Sequence, residues 1–214
     1  MLLKMTTNQI HKLIEAVDEA YSAEGMLLAV KALSATQDPA VIPTLIKVLG
    51  YNNPGAAVAA VDGLISMGEP AVGPILESVD GYNYGARSWA VRVLAGIGDP
   101  RGLELLIAAA ESDFALSVRR AAARGLGNLR WEKLPTPARA EAQNRTLNTL
   151  LQVCQDPEWV VRYAGVVGLE GLANAVKSEQ PVWFNALKTQ LEKISLTDNV
   201  IAVRSRSLWT LAKW

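Results

Sequence analysis

The sequence has one cysteine and one histidine in 214 residues. Cys154 alone cannot form a disulfide within the chain, and a lone thiol suits a reducing compartment. One Cys beside one His cannot assemble a Cys/His zinc centre, which needs four such ligands, so no metal is expected. Positive charge is not in surplus: Lys+Arg and Asp+Glu stand at 21 each. Nucleic-acid binders draw affinity from basic residues that displace counterions from phosphates, so this balance argues against a nucleic-acid partner. No apolar run approaches the roughly 20 residues that span a bilayer, so no membrane span is expected. The opening Met1-Leu2-Leu3-Lys4 turns polar too soon for a secretory leader. Together these absences predict a cytoplasmic protein. Aromatic residues make up only 6% of the chain, so its six tryptophans stand out.

What is present is a recurring phrase. It reads Ala86-Arg87 with Ala90 and Leu94, then Val118-Arg119 with Ala122 and Leu126. It returns as Val161-Arg162 with Gly165 and Leu169, and as Val203-Arg204 with Ser207 and Leu211. An apolar residue precedes each Arg, a small residue follows at +3, and Leu sits at +7. These offsets fall on one side of a helix. Two earlier helices fit the template with another residue in the Arg place, Met26 with Leu33 and Ala57 with Leu64. The six equivalent positions are Met26, Ala57, Arg87, Arg119, Arg162 and Arg204. Their spacing is that of two-helix solenoid units, which predicts six units.

A second, more variable helix lies between these. Its starts are marked by Asp38-Pro39, Glu69-Pro70, Asp99-Pro100 and Gln180-Pro181, where Pro loses no needed N–H and, at the Asp-Pro sites, Asp caps free amides. Pro43 and Pro74 follow four residues after the first Pro and are expected to bend the helix in units two and three. Asn53-Pro54 and Asp156-Pro157 mark starts of the Arg-bearing helix type in the same way. Met67-Gly68 and Ile97-Gly98 read as helix stops. An irregular loop at about 131–137, with Pro135 and Pro137, interrupts units four and five, and Ala138 to Gln155 reads as a longer helix. Trp131 in that loop looks exposed. It is either part of a spacer or a contact for a partner.

Helix pairs with an Asp-Pro start and a Val-Arg phrase resemble HEAT-like repeats. The short units at Asp38–Leu49 and Asp99–Leu106 are similar to the repeats named after phycobilisome lyases. With Asn8-Gln9-Ile10 and Ala29-Val30-Lys31-Ala32-Leu33 near the start, the whole layout resembles the F subunits of the heterodimeric E/F-type phycobilin lyases, in particular those serving the phycocyanin alpha chain. The resemblance implies an all-α, right-handed α-solenoid of about six HEAT-like helix pairs, forming one domain over residues 1–214. It further implies that phycocyanobilin is a substrate, with no tightly bound cofactor. The bilin would be joined by a thioether bond to a cysteine of apo-phycocyanin alpha, together with a homologous E-type subunit. It brings no catalytic residue that can be carried onto this sequence.

Counting from each Arg position as zero, positions −1, +3, +7 and +10 face the core, and +1, +5 and +8 lie opposite. The opposite row holds Lys31, Asp62, Ser88, Arg92, Arg120, Arg124, Tyr163, Glu170, Ser205 and Trp209. A solenoid usually turns such a row toward its ligand. Guanidinium groups form paired, charge-assisted bonds with carboxylates, and a bilin carries two propionates. Arg92, Arg120 and Arg124 therefore either bind the propionates or form a solvated face with local ion pairs. Asp62 can accept bonds from pyrrole N–H groups, and Trp89, Tyr82, Tyr84, Trp159 and Tyr163 can stack on rings. The arginines at position zero are expected to bridge neighbouring units, with Asp99 and Asp156 as partners. Cys154 reads as a buried inert thiol, the alternative being a bilin carrier. His11 reads as a surface residue. Trp209 and Trp214 either cap the last unit or belong to an interface. Two functions remain open on these residues: a subunit of a bilin lyase, or a non-catalytic scaffold or chaperone that grips another protein.

Overall fold

The computed structural model describes residues 6–79 and 84–214. Tyr82 and the opening Met1-Leu2-Leu3-Lys4 lie outside the described residues. Among those described, twelve α-helices alternate in the expected order and no strand occurs. The variable helices are α1 (Thr7–Asp18), α3 (Ile42–Val48), α5 (Glu69–Ser78), α7 (Leu103–Ser112), α9 (Thr136–Val153) and α11 (Phe184–Thr197). The template helices are α2 (Ala23–Ala35), α4 (Pro54–Met67), α6 (Tyr84–Ile97), α8 (Leu116–Leu126), α10 (Trp159–Val176) and α12 (Ile201–Leu211). Each of the six template helices expected from the phrase is present, so the all-α repeat architecture holds. The chain divides into two compact units, Met1–Ile97 and Gly98–Trp214.

In the first unit, helix starts are set by side-chain caps. Thr6 and Gln9 form a reciprocal capping box ahead of α1, with Gln9 N–H donating to Thr6 Oγ1 at 3.3 Å and Thr6 N–H donating to Gln9 Oε1 at 2.8 Å. Asp38 accepts from Ala40 N–H at 2.9 Å, and Asn53 accepts from Ala56 N–H at 3.1 Å. Glu69 departs from this pattern. Gly68, at φ 70°, occupies the cap position, and Glu69 is already the first helical residue, where its carboxylate faces the positive end of the helix dipole. The prolines of units two and three lie at helix starts of different kinds. Pro39 opens a single 3-10 turn, Pro39–Val41, before α3. The same turn, Pro100–Gly102, precedes α7, which has no second proline. The Asp-Pro start therefore makes the tight turn, and α5 runs unbroken through Pro74. Leu33, Leu64 and Leu94, the +7 residues, are fully buried, and each such burial contributes about 2 kcal/mol.

The second unit contains the ion-pair ladder. Arg119 of α8 donates from Nε and Nη2 to Asp156 at 2.7 and 3.1 Å, and its Nη1 donates to the carbonyls of Asp113 and Phe114. Arg162 of α10 repeats this on Asp198 at 2.8 and 3.1 Å, with its Nη1 on the carbonyls of Asp156 and Pro157. Arg204 of α12 donates to the Asp198 carbonyl at 2.7 Å. Each acceptor Asp lies six residues before the next Arg and also caps its own loop: Asp156 accepts from Glu158 N–H and Asp198 from Val200 N–H, both at 2.8 Å. Asp156 is thus the ladder partner anticipated. Asp99 has another role, since it is buried and holds Arg101 and Lys133. Helices α8 and α10 approach closely through glycines: a Cβ on Gly168 would lie 2.4 Å from the Ala123 carbonyl oxygen, and one on Gly171 would lie 2.2 Å from that of Gly127.

Trp131 is a correction to the sequence reading. It is only 4% exposed, within a 3-10 turn at Trp131–Lys133. The loop is pinned on both sides of the indole, by Arg130 N–H on the Gly98 carbonyl at 2.8 Å and by Lys133 Nζ on Asp99 at 3.1 Å. A side chain folded under this loop cannot serve as a partner contact.

Two stability predictions follow from this packing. Gly168→Ala should cost about 1–3 kcal/mol by overpacking. Gly55→Ala meets nothing nearer than 3.5 Å and should be neutral or gain up to about 1 kcal/mol; chemical denaturation compares the two. The second prediction concerns Asp198, whose carboxyl is held below the ordinary carboxylate range by its bonds from Arg162. A group acidified by folding stabilises the fold above its unfolded pKa, near 3.9, and this contribution is lost as pH falls through the lower folded value. Asp198→Asn should therefore cost about 2–4 kcal/mol at pH 7. The difference from the parent should narrow below about pH 4 in urea titrations run across a pH series.

Candidate functional site

The template helices of the second unit have three positions that serve neither core nor ladder. At −3 stand Leu116, Trp159 and Ile201, at +1 Arg120, Tyr163 and Ser205, and at +5 Arg124, Val167 and Trp209. Residues four apart lie above one another on a helix, so α8, α10 and α12 each present one such column. Arg120, Arg124, Trp159, Val160, Tyr163, Ala164 and Ala202 line a cleft of about 310 Å³. Both arginines are exposed, and neither has an ion-pair partner among the described residues. Small residues at Ala164 and Ala202 leave the space between the helices, while Tyr163 and Trp159 supply ring faces. The cleft thus joins two uncompensated guanidiniums to aromatic walls, which suits a flat conjugated ligand with carboxylates. It holds no carboxylate, thiol or imidazole.

Of the sequence candidates, Arg120, Arg124 and Tyr163 are brought together, with Trp159 beside them. Asp62, Trp89 and Arg92 belong to the first unit and form no part of this cleft. There Asp62 is exposed on α4, and the Arg92 guanidinium lies 4.4 Å from the Trp89 ring centre. Glu170 is a correction. It was placed on the open row at +8, yet it is buried, because the end of α12 covers it. It accepts from Arg206, from Lys213 Nζ at 2.7 Å and from Thr210 Oγ1 at 3.3 Å. Arg206 in turn stacks between Tyr163 and Trp209, at 5.9 and 4.4 Å from their ring centres. Lys213 Nζ sits 3.1 Å from the Trp209 ring centre. Trp209 remains 52% exposed. Trp214 is engaged within the chain, its Nε1 donating to Asn174 at 3.1 Å and its ring packed 5.9 Å from Phe184. Trp214 thus packs within the chain, while Trp209 keeps an open face. Sequence reasoning missed the exposed apolar series Leu116, Trp159 and Ile201. Its signal was available, three residues before the Arg of each of the last three units.

Residues 79–170 match the HEAT repeats family, and residues 28–51 match the PBS lyase HEAT-like repeat. Over 208 residues the chain is 53% identical to the phycocyanin alpha phycocyanobilin lyase CpcF of Synechocystis sp., covering 97% of this chain and 95% of that protein. The chain belongs to the CpcF family. A phycocyanobilin lyase subunit beta of Nostoc sp. is 48% identical over 92% of this chain and 96% of its own length. A chain of the solved complex of CpcE and CpcF of phycocyanin lyase from Nostoc sp. superposes with a TM-score of 0.74 at 50% identity, covering 81% of this chain and 99% of that one. A designed armadillo repeat protein shares the fold alone, with a TM-score of 0.57 at 15% identity.

Cys154 closes α9 among buried apolar neighbours, and burial pushes its thiol up to about 12. His11 is exposed and pairs with Glu15 at 3.2 Å, which fits the surface reading. No helix among the described residues is long and apolar enough to cross a membrane. With its thiol protonated and covered, Cys154 should resist iodoacetamide at pH 8 in the native protein and react fully in denaturant. Rapid native alkylation, read by mass spectrometry, would restore the carrier reading.

Proposed function

We infer that this chain is the F-type subunit of a heterodimeric bilin lyase. It binds phycocyanobilin and, with a homologous E-type partner, attaches it by a thioether bond to a cysteine of the phycocyanin alpha chain. The observation that carries this reading is identity of 53% along 97% of the chain to a lyase of that activity. The cleft supplies a physical basis for it. Arg120 and Arg124 are placed one helical turn apart for the two propionates, and Trp159 and Tyr163 stack on the pyrrole rings. Phycocyanobilin is the substrate, and no resident cofactor takes part. In the addition, the thiol sulfur bonds to the exocyclic carbon of the ethylidene group and the ring carbon of that double bond takes a proton. Nothing external is oxidised or reduced.

With no carboxylate, thiol or imidazole in the cleft, this chain contributes chiefly by orientation, which can supply much of a barrier. In this reading Asp62, Trp89 and Arg92 are a second set of bilin contacts, and Trp209 is a contact for a partner. Residues 1–214 work as one repeat domain in the cytoplasm, where the single thiol stays reduced.

The test mixes the full chain, an E-type subunit, phycocyanobilin and apo-phycocyanin alpha. A covalent, zinc-fluorescent adduct on the alpha chain is expected. No adduct, with an acceptor shown to be competent, returns the chain to the scaffold reading. Arg120→Ala/Arg124→Ala should lower bilin affinity by about 10–100-fold, as expected for lost charge-assisted bonds. Stability should change by less than about 0.5 kcal/mol, because both side chains are exposed.

A further inference from the structure

Two faces of the template helix serve stacking. Within each unit, positions +6 and +9 of one template helix sit on positions +4 and +8 of the one before it. Gly168 (+6) of α10 lies over Ala123 (+4) of α8, and Gly171 (+9) lies over Gly127 (+8). Gly63 (+6) of α4 lies against Ser34 (+8) of α2. At the end of α12, Thr210 (+6) and Lys213 (+9) bond to Glu170 (+8) of α10.

Burial follows this rule along the chain and breaks it at both ends. At +4 stand Val30, Val61, Val91, Ala123 and Val166, none more than 7% exposed. The sixth member of the series is Leu208, and it is 55% exposed. At +6, Gly63, Val93, Gly125, Gly168 and Thr210 are buried, while Ala32 of the first template helix is exposed. Ala35 (+9) beside it is exposed too, and Leu28, one turn earlier, is 59% exposed. The variable helices agree at position −8. There Asp18 accepts from Lys47 of the next variable helix at 2.9 Å, and Glu111 accepts from Thr149 Oγ1 at 2.6 Å. Leu196 holds that position on α11 and is 79% exposed. End units of a solenoid carry polar outer faces where no neighbour covers them. Here Leu196 and Leu208 at one end, and Leu28, Ala32 and Ala35 at the other, are apolar, and neither set is covered among the described residues.

The stacking rule names the occupant. A +4/+8 face receives the +6/+9 face of another template helix, and this chain bears one bare face of each kind. We propose that a second copy of this chain stacks end to end on the first. Ala32 and Ala35 of one copy meet Leu208 and Ala212 of the other, with Leu28 and Leu196 alongside. The two surfaces differ, so the contact is heterologous, and the same step repeats to give rows in place of a closed pair. One helix pair on another falls short of the roughly 1,200 Å² of a lasting interface, so rows form and dissolve with concentration. The inference needs neither the cleft nor a bilin and stands apart from the lyase reading.

Sedimentation equilibrium of the full chain over about 5 to 500 µM should give an average mass that climbs past that of two chains. Leu208→Glu and Leu28→Glu each spoil one end. Both positions are exposed, so helicity should be kept, as circular dichroism checks. Either variant alone should hold the mass of one chain throughout. Their equimolar mixture should approach twice that mass and stop there, because each brings the one intact end that the other lacks. Should a variant lose helicity, Leu196→Glu or Ala32→Glu takes its place at the same end.

A parent chain that stays at the mass of one copy at every concentration overturns the proposal. Association of either variant alone at the parent's strength overturns the end-to-end pairing, as does a mixture that stays at one chain. Self-association that vanishes when the E-type subunit is added gives the end face to that subunit and overturns the second copy as its occupant.

Discussion

A single rung organises the second unit. The aspartates at the heads of α10 and α12 each do two jobs: the carboxylate caps the loop N–H two residues on, and it accepts a forked pair of bonds from the arginine of the preceding template helix. That arginine spends its remaining nitrogen on the carbonyls of its own loop. One ion pair therefore ties a helix start, a loop and a neighbouring unit together. Arg119 and Asp156 have side chains 13% and 9% exposed, and Arg162 and Asp198 have 12% and 7%. At that burial a charge without its partner is costly, so the pairing selects one register between adjacent helices and rejects others. The glycines of α8 and α10 can approach to backbone contact because the rung and the +7 leucines hold both helices in that register.

The division of labour along the template helix explains where a site can arise. Positions −1, +3, +7 and +10 are taken by the core, and zero by the rung. The column at −3, +1 and +5 is left, and selection can alter it without disturbing the stack. In the second unit that column carries an apolar row, an arginine pair and ring faces in place of the mixed charged surface usual for an exposed helix. The chemistry of the cleft is thus written on residues the fold does not need.

Much of this was legible in the sequence because it depends on short-range periodicity. The Arg phrase identified four template helices and its apolar template the other two, and the offsets +1 and +5 picked out Arg120, Arg124 and the Tyr163 that joins them. Three readings failed for a common reason: each turned on a residue far away in the chain. Trp131 is buried by anchors at Gly98 and Asp99, some thirty residues earlier. Glu170 is buried by Arg206, Thr210 and Lys213, some forty residues later. Asp99 is held by Lys133, 34 residues later, together with Arg101 beside it. Helical periodicity states which side of a helix a residue occupies, but not what lies against that side. The cap at Asp38 or Asp99 makes a 3-10 turn whether or not a second proline follows, so that turn belongs to the Asp-Pro pair.

A chain with zero net charge attracts no anion by its overall field. Pairing resolves this. Arg119 and Arg162 are matched by aspartates, Arg145 by Glu104 at 2.7 Å, and Arg206 and Lys213 share Glu170. These cations spend their charge on neighbours and add little to the potential outside. Arg120 and Arg124 remain uncompensated, one turn apart, beside aromatic walls that keep out part of the solvent. An anion that approaches this cleft feels two adjacent charges without ion-pair partners more strongly than the sum over the chain. Attraction of a carboxylate-bearing ligand to this cleft is therefore compatible with neutrality overall.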